Sequence, residues 1–202
     1  INHLNLLQQF PQLDQLKDLE NHREREESFS RAIARREKLL NTLSLDSEND
    51  STLKSYGIKS SNGSSFSHQV LRARKLCEAG VNFIQVYSGG KTNETSWDNH
   101  RDMTRHHLRA QETDRAIAAL VDDLKKRGLW NRTLLVWGGE FGRLPVLDEK
   151  RGGRTGRGHN KSTFTYWLGG GPIQGGMSYG QSDEIGLKCV ENQVTFGDLH
   201  AT

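Results

Sequence analysis

Two carboxylates and two imidazoles stand in three polar, glycine- or asparagine-rich segments of this sequence. Asp98 and His100 belong to a Trp-Asp-Asn-His tetrad, while Glu140 follows a glycine pair. His159 stands between a glycine and an asparagine. Such a mixed oxygen and nitrogen set suits zinc, manganese or iron better than calcium, which prefers oxygen ligands alone. Because a divalent ion polarises an ester oxygen and lowers the pKa of bound water to about 7, the residues predict a hydrolytic metal site.

Ordinary structural roles would also account for these residues. Asp98 could cap a helix that begins near Asn99. His100 and His159 could be surface imidazoles with no ligand. The residue types alone leave both interpretations open.

An adjacent histidine pair, His106 and His107, is a second source of nitrogen ligands. Neighbouring residues on a helix point about 100° apart, so at most one of the two can face the site. His107 lies two helical turns beyond His100 and could share its face. We rank His107 below His100 as a ligand.

Positive charge follows the third predicted ligand along the chain. Arg143 lies three residues after Glu140, and its planar guanidinium could hold two oxygens of a phosphate or sulfate. A structural salt bridge to a nearby carboxylate is the alternative for Arg143. The segment Arg151–Arg157 resembles an RGG-type RNA-binding stretch, but it is one short copy without aromatic residues. A flexible lid over an anionic substrate explains this segment equally well, and no nucleic-acid partner is expected.

Alternating helical and strand patterns predict the elements that position these side chains. Apolar residues at helical spacing predict a helix over Phe66–Glu78 and another over about 101–128. The runs Val81–Tyr87 and Thr133–Trp137 are typical of buried strands. Helix, strand, helix and strand with short connections indicate an α/β fold with a doubly wound parallel sheet and helices on both faces.

The predicted topology brings the candidate ligands to one edge of the sheet. Right-handed crossovers place the carboxyl ends of neighbouring parallel strands on the same side. Ligands of open α/β sheets collect outside those ends. We therefore expect Asp98, His100 and Glu140 to be neighbours.

Composition excludes several classes of protein. The formal charge of +3 over 202 residues is too small to require an anionic polymer as partner. No apolar run approaches the roughly 20 residues needed to cross a bilayer, so no membrane span is predicted. Cys77 and Cys189 form neither a metal-type cluster nor a disulfide framework.

The domain organisation predicted from these patterns has two parts. Residues 1–60 form a helical and irregular insertion or cap, in which Leu53, Tyr56 and Ile58 attach a polar stretch to the body of the protein. Residues 61–202 form the α/β core.

Five motifs of this sequence together resemble a bacterial family, the domain-of-unknown-function family 1501. They are Val81-Asn-Phe-Ile-Gln-Val-Tyr-Ser-Gly89, Ser96-Trp-Asp-Asn-His100, Gly138-Gly-Glu-Phe-Gly-Arg143, Gly158-His-Asn160 and Thr165-Tyr-Trp-Leu-Gly-Gly-Gly171. Members are described as sulfatase-like and as part of the alkaline phosphatase superfamily. The resemblance implies an alkaline-phosphatase-like α/β fold, hydrolysis of sulfate or phosphate esters, and a small anionic ester or sulfated glycan as substrate. It also implies an exported or periplasmic location.

The resemblance assigns roles to individual residues. Asp98 and His100 match the first aspartate and histidine group of the superfamily, Glu140 matches the second aspartate, and His159 matches the last histidine. Phe141 stands where the superfamily has a second-group histidine. One of two metals would therefore lose a nitrogen ligand.

A nucleophile cannot be named from the resemblance. In the superfamily it follows an early strand, which would precede Ile1, so we expect the chain to be a C-terminal portion. A non-catalytic or degenerate relative that binds a carbohydrate or sulfated glycan is the alternative to a hydrolase.

Overall fold

The computed structural model describes residues 40–89, 96–148 and 155–201, together with positions 23, 26, 27 and 30. The chain divides into two compact units, residues 1–44 and residues 45–202. The predicted helical pattern of the first 40 residues lies almost entirely outside the described residues. All elements named below belong to the second unit. The predicted division at residue 60 stays a prediction.

Helices and short strands share the second unit, which confirms the mixed α/β class in its coarse sense. The helices are α1 (Asp50–Ser55), α2 (Phe66–Glu78), α3 (His106–Lys126) and α4 (Phe196–Ala201), with 3₁₀ turns over Met103–Arg105 and Trp130–Arg132. The strands are β1 (Leu134–Trp137), β2 (Gly142–Leu147), β3 (Arg157–Asn160), β4 (Trp167–Gly170), β5 (Gln181–Ser182) and β6 (Cys189–Glu191). Among the described helices, none combines the length and the apolar character that a bilayer crossing requires.

Helices α2 and α3 pack together to form the core of the unit. Their periodic apolar residues face each other, as the helical spacing predicts. The buried core residues are Leu45, Tyr56, Ile58, Phe66, Val70, Leu71, Ala116 and Ala119. Tyr56 and Ile58 are buried and Leu53 packs against them, so the predicted attachment of the polar stretch is confirmed.

A buried arginine, Arg74, forms ion pairs inside this unit. The side chain of Arg74 is 1% exposed, and its guanidinium lies 2.6 Å from Glu48 and 2.9 Å from Asp123. It also pairs with Glu78 within α2, and the Tyr56 hydroxyl donates to Asp123 at 3.2 Å. Burial alone would lower the pKa of Arg74, but the hydrogen bond to Glu48 and the charges of Asp123 and Glu48 raise it. The charge therefore stays inside the core because carboxylates surround it.

The strands form three separate two-stranded antiparallel sheets. Strand β1 pairs with β4, with Leu134 opposite Gly170 and Trp137 opposite Trp167. Strand β2 pairs with β3, and β5 pairs with β6. The β2–β3 sheet is the one that positions the candidate site.

The predicted parallel sheet is not formed by the described residues. Val81–Tyr87 contains no strand in the described structure, and Phe83 and Tyr87 are 77% and 75% exposed. The partner of β1 is instead the later strand β4, in the antiparallel direction. The predicted pairing required Val81–Tyr87 as a second strand beside β1, joined to it by the helix crossover that parallel strands need. Because that segment forms no strand in the described structure, β1 takes its hydrogen-bonding partner from β4 instead.

Candidate metal centre

An antiparallel hairpin places two of the predicted site residues side by side. In the β2–β3 pair, Arg143 lies directly opposite His159, and Gly142 lies opposite Asn160. Asn160 is 3% exposed, and its amide nitrogen donates to the carbonyls of residues 186 and 187 at 3.2 and 3.0 Å. The end of the hairpin is thus anchored, which fixes the position of His159.

The loop that carries Asp98 and His100 is held by a buried asparagine. The Asn99 side chain is 2% exposed, and its oxygen accepts from the backbone nitrogens of Arg101 at 3.0 Å and Asp102 at 2.8 Å. Asp102 accepts from the backbone nitrogen of Thr104 at 3.0 Å and so caps the 3₁₀ turn that leads into α3. Hydrogen bonds from Thr104 are the main reason that the pKa of Asp102 is lowered. The capping role considered for Asp98 therefore belongs to Asp102.

A glycine of the hairpin, Gly156, packs directly against the backbone of this loop. Gly156 is buried, and a Cβ atom at this position would lie 1.5 Å from the carbonyl oxygen of His100. The neighbouring Thr155 hydroxyl accepts from the backbone nitrogen of Met103 at 3.1 Å and lies 3.2 Å from a carboxylate oxygen of Asp102. Only a residue without a side chain permits this close approach of two backbones.

The structure brings together three of the four predicted metal ligands. Oδ1 of Asp98 lies 2.7 Å from Nε2 of His159 and 3.1 Å from Nε2 of His100. The two histidine nitrogens are 3.1 Å apart. Ligand atoms of a tetrahedral zinc ion lie about 3.3 Å from each other, given metal–ligand bonds of about 2.0–2.1 Å. The three donor atoms can therefore share one ion once their separations increase by at most about 0.6 Å.

The two histidines differ in their access to solvent. The side chain of His100 is 9% exposed, whereas those of His159 and Asp98 are each 39% exposed. The surface-imidazole interpretation therefore does not apply to His100. The group has a closed inner side at His100 and an open outer side at the other two residues.

A carboxylate that the sequence analysis did not select lies behind His100. Oδ2 of Asp148 is 3.0 Å from Nδ1 of His100, on the far side of the ring from Asp98. Sequence spacing offers no signal for this pair, because 48 positions separate the two residues. Metal-binding histidines commonly donate their second ring nitrogen to a carboxylate in this way.

Arg143 binds the carboxylate of the group. Its Nη2 donates to Oδ1 of Asp98 at 2.7 Å and to the carbonyl of Trp97 at 3.2 Å, while Nη1 donates to the carbonyl of Arg157 at 3.1 Å. The salt bridge to a loop carboxylate, one of the two interpretations of Arg143, is therefore present. The guanidinium side chain is 22% exposed and stands within the group.

The surroundings of Asp98 keep it ionised. Partial burial raises the pKa of Asp98, but hydrogen bonds from His159 and Arg143 outweigh this effect. The positive charge of Arg143 acts in the same direction, and together these effects lower the pKa of Asp98 to about 2. Metal ligands must be deprotonated, so Asp98 is in the right state to coordinate a cation.

The remaining candidate ligands lie apart from this group. Glu140 is exposed in the connection between β1 and β2 and is not among the three residues whose ligand atoms lie within 4.8 Å of one another. Nε2 of His106 bonds the carbonyl of Trp97 at 2.8 Å, and His107 bonds the carbonyl of Thr104. Neither member of the histidine pair joins the group.

One aromatic ring packs on the group, and others lie beside it. Phe141 stacks on the ring of His159 with centroids 4.9 Å apart and an interplanar angle of 17°. Trp97 makes edge contacts with His106 and Trp137, at centroid distances of 5.5 and 6.1 Å. The residue that replaces an expected histidine thus packs against a candidate ligand.

The predicted lid lies mostly outside the described residues. The structure describes its last positions, of which Arg157 is the first residue of β3. The carbonyl oxygen of Arg157 accepts a hydrogen bond from Arg143. The role of the basic segment as a lid stays a prediction.

Comparison with known proteins identifies a family. The model of a family described as "Protein of unknown function (DUF1501)" matches residues 2–202. No curated protein and no solved structure matches the chain. The matched range includes the segment before residue 61 as well as all the residues of the candidate metal centre. The chain therefore belongs to the DUF1501 family, as the five sequence motifs predict.

Proposed function

We propose that this chain binds a divalent metal ion through Asp98, His100 and His159 and hydrolyses sulfate or phosphate esters. The observation that carries this proposal is the triangle of donor atoms with edges of 2.7, 3.1 and 3.1 Å. Two imidazoles and one carboxylate favour zinc, manganese or iron over calcium. Catalytic metal sites have three protein ligands and leave a further coordination position open for water or substrate. The exposed outer side of the group would leave such a position open.

The residues around the group suit an anionic ester. A bound ion would polarise an ester oxygen and activate water. Arg143 adds a positive charge next to Asp98 and holds that carboxylate ionised. In this proposal Arg143 is the catalytic arginine and balances the charge of the ester, while His100 fixes the inner side of the site.

The wider assignments follow the family resemblance. In this proposal the chain is the C-terminal portion of a sulfatase-like enzyme with an alkaline-phosphatase-like fold, and it acts outside the cytoplasm. A small anionic ester or a sulfated glycan would be the substrate. These assignments stay predictions.

Metal titration tests the proposal directly. We expect the purified metal-free protein to bind one equivalent of Zn²⁺ or Mn²⁺ by calorimetry. His159→Gln should weaken binding on the order of 100-fold or more, because a ligand is worth at least as much as the residues that orient it. His107→Gln is the matched control, since His107 is an exposed histidine that is hydrogen-bonded to the Thr104 carbonyl. The metal affinity of this variant should equal that of the wild type.

Activity assays then separate hydrolysis from binding. Wild-type protein loaded with metal should cleave 4-nitrophenyl sulfate or phosphate, and His159→Gln should not. Absence of stoichiometric metal binding by the wild type would disprove the metal site. Glu140→Gln tests whether Glu140 is a fourth ligand. If it is, the substitution should weaken metal binding; if it lies outside the site, metal binding should not change.

A glycan-binding protein without turnover is the second candidate. It is favoured by Trp137 and Trp167, which lie opposite each other on β1 and β4 and are 44% and 43% exposed. Exposed tryptophans with an apolar body and a polar tip are common at binding surfaces. Binding of sulfated oligosaccharides that Trp137→Ala abolishes, without any ester cleavage, would favour this candidate.

A further inference from the structure

We infer that Asp148 is a positioning residue for the metal centre. It holds His100 in the tautomer whose Nε2 lone pair faces Asp98 and His159. The inference rests on the proposed function, because it gives Asp148 the task of preparing one ligand of that site. Its own structural basis is the carboxylate–imidazole contact.

The backbone fixes Asp148 in place. Its backbone nitrogen donates to the carbonyl of Gly156 at 2.9 Å, which closes the β2–β3 hairpin. The side chain is 16% exposed and ends 3.0 Å from Nδ1 of His100. The hairpin therefore fixes the backbone position from which the carboxylate reaches His100.

The chemistry of imidazole turns this contact into a tautomer choice. His100 lies between two carboxylates, but Oδ1 of Asp98 already forms hydrogen bonds with His159 and Arg143 at 2.7 Å each, whereas Oδ2 of Asp148 faces Nδ1 of His100. A carboxylate accepts hydrogen bonds, so Nδ1 of His100 carries the proton and donates it to Asp148. In the neutral ring Nε2 then has a free lone pair. Nε2 lies 3.1 Å from both Oδ1 of Asp98 and Nε2 of His159, and a shared cation would sit between these three atoms.

Asp148 cannot itself be a ligand of the same ion. Its oxygen contacts Nδ1, on the opposite side of the ring from Nε2. It is also absent from the group of three residues whose ligand atoms lie within 4.8 Å of one another. Its effect on the metal must therefore act through His100.

Nuclear magnetic resonance of the metal-free protein tests the tautomer. With ¹⁵N-labelled histidine, a long-range ¹H–¹⁵N spectrum distinguishes a protonated Nδ1 from a protonated Nε2, and His100→Gln identifies the signal among the eight histidines. We expect His100 to carry its proton on Nδ1 in the wild type. In Asp148→Asn the signal should shift toward the Nε2-protonated form, because an amide nitrogen can donate to Nδ1. A wild-type ring protonated on Nε2 would overturn the inference, even if no variant folds.

Zn²⁺ titration supplies the second measurement. Asp148→Asn should weaken binding about 10- to 100-fold, as loss of a residue that orients a ligand does. Asp148→Glu should restore part of the affinity because it returns the carboxylate. Asp114→Asn, which removes an exposed carboxylate from α3, is the matched control and should bind as the wild type does.

The outcomes separate the two assignments. If the wild type binds Zn²⁺ and Asp148→Asn binds it equally tightly with an unchanged tautomer, the positioning role is wrong and the metal site stands. If the wild type binds no metal but Asp148→Asn still changes the tautomer, the control of His100 is confirmed and the proposed function fails.

Discussion

Replacement of Gly156 by alanine is expected to abolish metal binding and to lower the free energy of unfolding by about 3 kcal/mol. The added Cβ would lie 1.5 Å from the carbonyl oxygen of His100 and 2.7 Å from the backbone nitrogen of Arg101. No rotation of a side chain relieves a clash between two backbones, so the loop must move away from the hairpin. That movement separates His100 from His159, which lies on the other side of the contact. Calorimetric Zn²⁺ titration and urea unfolding measure the two effects.

A second glycine provides the matched control for this substitution. A Cβ atom at Gly175 would meet nothing within 4 Å, and its backbone does not have a positive φ angle. Gly175→Ala should therefore leave metal affinity and stability within about 0.5 kcal/mol of the wild type. Wild-type metal affinity in Gly156→Ala would contradict the close packing of the loop on the hairpin.

Replacement of Arg74 by methionine is expected to cost about 3–5 kcal/mol of the free energy of unfolding, because it leaves buried carboxylates without their partner. Glu48 and Asp123 have side chains that are only 9% and 13% exposed, and both contact the guanidinium of Arg74. Methionine fills much of the volume but carries no charge. Urea unfolding followed by circular dichroism measures the loss.

Arg127→Met is the matched control for Arg74→Met. Arg127 contacts Asp123 and Glu78, two of the same carboxylates, but its side chain is 35% exposed. Solvent screens such a pair, so its loss should cost no more than about 1 kcal/mol. Adding Glu48→Gln to Arg74→Met should recover part of the stability, since it neutralises one stranded carboxylate. A loss below about 1 kcal/mol in Arg74→Met would show that the buried cluster relaxes without cost.

The amphipathic helices could be predicted from the sequence because their signal is local. Phe66 and Val70 repeat at helical spacing and are buried in α2, as expected. Val81–Tyr87 has an equally strong apolar pattern, yet it forms no strand among the described residues. A strand needs a partner from elsewhere in the chain, and the pattern of one segment does not name that partner. For the same reason, the antiparallel pairing of β1 with β4 could not be predicted from the alternation of helices and strands.

The candidate site divides in the same way. The sequence by itself determined the chemistry on offer, since Asp98, His100 and His159 are metal-ligating types within motifs typical of the family. Only the tertiary structure decided which of them share a point in space: it left Glu140 outside the group and brought Asp148 behind His100. Ligand type is a property of one residue, whereas coordination depends on distances of about 3 Å between loops far apart in the chain. Those distances are set by the β2–β3 register and by the contact at Gly156, which no local pattern encodes.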